Sequence, residues 1–153
     1  MTRLLGREPQ GRFVVSLRRN DGSPVVLANE PLLDTGRPMP TRYWLVDQAL
    51  VRAVSRLESL GGVDQAEAEV DPVALRAAHD AYAAERDRLI DPDHGGPRPH
   101  GGVGGTRRGV KCLHAHYANL LMGADDPVGR WVAGKLAASG DAFDPSRPGP
   151  LSQ

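Results

Sequence analysis

The stretch Arg12–Ala28, RFVVSLRRNDGSPVVLA, decides the fold class. Phe13, Val15 and Leu17 alternate with Val14, Ser16 and Arg18, and a period of two predicts a strand. Asn20–Ser23 reads NDGS, where Asp-Gly supplies the positive φ of a tight turn. Pro24–Ala28 is the returning strand, with its proline at the one strand position that forgoes a ladder bond. Downstream, Asn29–Thr41 is a turn-rich connection, and the aromatic, apolar run Arg42–Val46 suits a third strand.

After that the periodicity changes. Asp47 is a helix N-cap, and Leu50, Val54 and Leu57 share one face of a helix over Gln48–Leu60, closed by Gly61-Gly62. Asp71-Pro72 opens a second helix, lined by Leu75, Ala78, Tyr82 and Leu89 and running to about Ile90. Residues 91–109 hold seven glycines and three prolines in nineteen positions, so they form a loop. A third helix is expected over about Arg108–Met122, and Asp126-Pro127 starts a fourth, ending near Ala138. Strands first and helices after give an α+β domain: a small antiparallel sheet of about three strands with about four helices packed on it. Residues 1–138 form that domain behind a loose lead-in at 1–10, and residues 139–153 read as a disordered tail.

Composition narrows the function. Nineteen basic residues balance nineteen acidic ones, so no net field recruits nucleic acid or a membrane surface. Trp44 and Trp131 show no stacking pattern and give no specific nucleic-acid signal. A single cysteine excludes an internal disulfide and an all-cysteine zinc site. Nothing in the first residues has the form of a signal peptide, and no run approaches the roughly 20 apolar residues of a membrane span. A cytoplasmic location is the expectation. Aromatics are 5% of the chain, so Val, Leu and Ala must build the core.

The unusual chemistry lies in Gly101–Tyr117, GGVGGTRRGVKCLHAHY. The dinucleotide pattern G-x-G-x-x-G fails at Arg107. The phosphate-loop pattern fails because Val110 precedes Lys111 and Cys112 replaces the magnesium-binding hydroxyl. A glycine-rich segment running into a helix start still suits an anion, such as a phosphate compound. Gly104, Gly105 and Thr106 would offer backbone donors, Arg107 and Lys111 charge, and His114 orientation, with His79 and Arg86 closing the site. A helical wheel anchored at Val110 sets Cys112 beside His116 and apart from His114. Cys112 and His116 are then weak metal candidates needing further ligands from His94, His100 or an aspartate. Cys112, Lys111 and His114 are the candidates for catalysis, the thiol being activated at a helix N-terminus beside Lys111 and Arg108. No cofactor is expected.

Several of these residues carry a resemblance. Gly104-Gly105 followed by Val110-Lys111-Cys112-Leu113-His114 resembles the signature of the domain of unknown function 501 family, found mainly in actinobacteria. Leu5-Gly6-Arg7 agrees with it, as do Gly36 with Pro40-Thr41 and Tyr43, Leu57-Glu58 with Gly61-Gly62, Ala78-His79 with Tyr82 and Arg86, and Pro127 with Gly129. The likeness covers about Leu4–Leu136. It implies no defined activity. Gene neighbours for a septum-formation initiator and an exopolyphosphatase imply phosphate compounds or a protein-interaction role near cell division. The family pattern places cysteines where this chain has Arg19, Asp21 and Asp47.

Overall fold

The computed structural model describes residues 11–150; the lead-in and Leu5-Gly6-Arg7 lie outside them. Strands β1 (Phe13–Arg18), β2 (Pro24–Asn29) and β3 (Tyr43–Leu45) form one antiparallel sheet in the order β1-β2-β3. Val15 pairs with Leu27, and Leu27 with Trp44, while a bulge between Val15 and Leu17 shifts the β1 register. Val25 to Ala28 are buried in succession. Neighbouring side chains leave a strand on opposite sides, so β2 is covered on both faces.

Five α-helices follow among the described residues: α1 (Gln48–Ser59), α2 (Gly62–Glu69), α3 (Pro72–Asp87), α4 (Leu113–Leu121) and α5 (Pro127–Ala138). The three aspartates read as caps act as caps. Asp47 accepts from Leu50 N, Asp71 from Ala74 N and Asp126 from Gly129 N. The extra helix is α2. Gly61 ends α1 but, in the left-handed region at φ 84°, also serves as the N-cap of α2, so the chain turns and winds again.

Two boundaries differ from expectation. Helix α4 begins at Leu113, not near Arg108, because Gly109 has φ +65° and Cys112 is extended. Helix α3 stops at Asp87, which leaves Leu89 exposed. Helix α4 is also less amphipathic in place than its pattern suggests. Leu113 and every residue from Ala115 to Asn119 are buried, because α5, β3, α1 and the 3-10 turn Val103–Gly105 all pack on it.

Residues 139–150 do not trail away, contrary to the composition of that segment. They return to the β1–β2 hairpin, where Pro145 O accepts from Asn20 N at 2.8 Å and Gly149 N donates to Asp21 at 2.8 Å. Arg19 is the anchor. Its Nε meets Asp47 Oδ2 at 2.6 Å, its Nη1 donates to Asp144 O and Arg147 O, and its guanidinium lies 5.3 Å from the Phe143 ring centre. Both members of the Arg19–Asp47 pair are buried, and such a pair holds only when its remaining donors and acceptors are met. Here the second Asp47 oxygen caps α1 and the Nη1 donors of Arg19 meet two carbonyls of the returning segment. The core is otherwise built from Val, Leu and Ala with three tyrosines, Tyr43, Tyr82 and Tyr117. The Tyr82 hydroxyl accepts from Arg42 N at 2.5 Å and tethers α3 to the entrance of β3.

Candidate functional site

Helix α1 and the first turn of α4 create a three-residue cluster. His114 sits one residue into α4, and its Nε2 lies 3.2 Å from Val51 O and 3.1 Å from Ser55 Oγ, both on α1. A carbonyl only accepts, so Nε2 carries a proton and the neutral ring has its lone pair on Nδ1. That atom lies 3.8 Å from Cys112 Sγ and 3.2 Å from Glu58 Oε1. The other Glu58 oxygen accepts from Leu113 N at 2.9 Å. Cys112 is the N-cap of α4 but makes no capping bond, and Glu58 caps the helix in its place. Burial alone would lower the His114 pKa. The Cys112 contact, the Glu58 charge and the Val51 carbonyl outweigh it and raise the pKa above the ordinary value.

This cluster opens on a pocket of about 320 Å³. Tyr43, Trp44 and Leu45 of β3 and Val51 of α1 contribute its apolar lining, together with Gly104, Lys111, Cys112 and His114. Lys111 is exposed. Gly104 has φ +69°, a conformation glycine takes without strain, and it brings the 3-10 turn against Lys111 and Cys112. Four of the residues singled out in the sequence, Gly104, Lys111, Cys112 and His114, therefore share one cavity.

The others do not. Gly105 packs near Pro40, and Thr106 is spent on a local turn with Arg108. Arg107 lines a separate pocket of about 570 Å³ with Arg108, Arg76, Glu67 and His79. His79 is buried and spent: its Nδ1 accepts from Val103 N at 3.1 Å and its Nε2 donates to Gly109 O at 2.9 Å. Burial pulls its pKa below the ordinary value, which favours a neutral ring tying the glycine-rich loop to α3. Arg86 is also buried and donates to Pro40 O and Asp87.

Two expectations need correction. Cys112 is beside His114, not His116, because Cys112 precedes the helix and the wheel does not apply to it. His116 instead lies in the core, with Nδ1 2.9 Å from both oxygens of Asp126. Of the backbone donors expected to hold an anion, Gly105 N donates to Gly102 O at 3.0 Å, and near the start of α4 Glu58 holds Leu113 N and Glu67 holds Val110 N at 2.7 Å. The chain thus supplies its own carboxylates there. Glu58 was visible only as part of a Leu-Glu pair, and no local signal ties it to a residue 55 positions away.

No helix among the described residues is long and apolar enough to cross a membrane. A family model described as "Protein of unknown function (DUF501)" matches residues 15–134, a span that contains the cluster and its pocket. No curated protein and no solved structure matches the chain.

Proposed function

The chain belongs to the DUF501 family, and we propose that it binds a small organic anion in the pocket of Tyr43, Lys111, Cys112 and His114. The supporting observation is the pairing of an exposed cation with an apolar wall in one cavity. Lys111 would meet the anionic group and the β3 wall the apolar body of the same ligand. A pocket of about 320 Å³ is at the small end of ligand sites, which run from about 300 to 1,000 Å³, and suits a ligand of one ring. With Leu113 N and Val110 N held by glutamates, side chains would carry most of the recognition.

Phenyl phosphate, which joins one ring to one phosphate, is the minimal probe. Calorimetric titration should give saturable binding, with inorganic phosphate and phenol each weaker. Lys111→Ala should weaken binding by tenfold or more, since hydrogen bonds to charged groups contribute about 1.5–3 kcal/mol. Because Lys111 is exposed, thermal unfolding without ligand should not change. Equal affinity in the variant would remove Lys111 from the site. Binding of phosphate as tight as that of phenyl phosphate would remove the apolar wall.

A further inference from the structure

We propose that Glu58 Oε1, Cys112 Sγ and His114 Nδ1 are three protein ligands of a divalent metal ion of the zinc class, with a fourth position open to the pocket. All three atoms lie within 4.8 Å of one another, and this is the sole such group among the described residues. Zinc bonds of about 2.0–2.3 Å at tetrahedral angles set neighbouring donors about 3.3–3.6 Å apart. The observed separations are 3.8 Å for Cys112 to His114 and 3.2 Å for His114 to Glu58. Two of the three separations are thus within a few tenths of an ångström of those values, and the third, Glu58 to Cys112, is within 4.8 Å.

The surroundings are those a metal ligand set requires. Ligating histidines usually donate their second ring N–H to a carbonyl or carboxylate, which fixes the tautomer and aims the lone pair. Val51 O does this for His114. Ligating carboxylates are themselves hydrogen-bonded, and Leu113 N holds the spare oxygen of Glu58. The result is a lone pair and a carboxylate facing one another beside a thiol, three donors that either a proton or a metal ion can bridge. Thiolate, imidazole and carboxylate together favour zinc over magnesium or calcium, which take oxygen ligands. Three protein ligands leave one position vacant, the pattern of sites that bind exchangeable ligands. Cys112 and His114 both line the pocket, so the open position is where the anionic group of a pocket ligand would coordinate. This last step alone rests on the function proposed above. The set shares no residue with the Arg19, Asp21 and Asp47 positions.

Cobalt(II) added to the metal-stripped full chain tests the proposal, because a thiolate ligand gives a near-ultraviolet charge-transfer band. One equivalent should saturate that band, and zinc should displace the cobalt. Cys112→Ser should abolish the band with the fold unchanged by circular dichroism. His114→Ala and Glu58→Gln should each weaken binding by tenfold or more, and Glu58→Gln keeps an acceptor for Leu113 N. His94→Ala, in the loop, should have no effect. Absence of saturable uptake, or a band that survives Cys112→Ser, overturns the site. So does a cluster that takes up only a proton, with His114 titrating and no cobalt bound. Phenyl phosphate binding in the presence of chelator separates the two proposals: if it persists while cobalt fails, the metal falls and the pocket stands. If cobalt binds and phenyl phosphate does not, the pocket ligand falls and the metal stands.

Discussion

Asp126 is fully buried and accepts from three different donors, His116 Nδ1, Asn119 Nδ2 and Gly129 N. Burial would raise its pKa. The His116 contact, aided by Asn119 and Gly129, outweighs that and holds it below the ordinary carboxylate value of 3.8. A depressed carboxylate contributes stability above its unfolded pKa and loses it as pH falls through the folded value. Asp126→Ala should therefore cost about 1–3 kcal/mol at neutral pH, the usual penalty for leaving a buried hydrogen-bonding group without its partner. The gap to the parent protein should shrink as pH falls below about 3.8, where an aspartate of the unfolded chain takes up its proton. Urea unfolding at a series of pH values measures this, and a gap that does not change with pH would show that the carboxylate charge is not what stabilises the fold. At this scale the sequence was half legible. Asp-Pro announced a cap at Asp126, but one carboxylate serving a cap, a histidine and an asparagine follows from tertiary packing alone. The same holds for Glu58, which ties α1 to α4 and orders the candidate site with no motif of its own.

Among the elements, the contact of α4 with α5 depends on one missing side chain. A Cβ on Gly129 would meet Leu120 Cβ at 2.6 Å and His116 O at 2.7 Å, both within the opposing helix. Gly129→Ala should lower stability by about 1–3 kcal/mol, the cost of overpacking, despite alanine's higher helix propensity. Chemical denaturation checks the sign: a stabilised variant would show that the helices separate without cost. Strand and helix starts were readable because caps and period-two alternation are local. The starts of α2 and α4 were not. Gly61 can close one helix or open another, and only the packing of Ala66 and Gly62 into the core decides. The start of α4 depends on the left-handed turn at Gly109, which is held next to Glu67.

Across the whole molecule, the segment after Ser139 closes over the first hairpin through Phe143, Asp144, Pro145, Arg147 and Gly149. Its glycine, proline and serine content suggested disorder because composition records apolar surface and not a waiting guanidinium. Arg19 meets Asp144 and Arg147 across 125 and 128 positions of chain. Contacts at that separation require the largest loop to close and return little until the rest is in place, so they form late on the folding pathway. Phe143→Ala should cost about 1–2 kcal/mol, less than the roughly 3–5 of a fully buried phenylalanine. Nearly all of that loss should appear as faster unfolding, with the refolding rate unchanged in stopped-flow measurements. A slowed refolding limb would place the segment in the folding nucleus. If instead only unfolding quickens, the Arg19 clasp works as a latch: it sets how long the native state lasts, not how quickly it is reached.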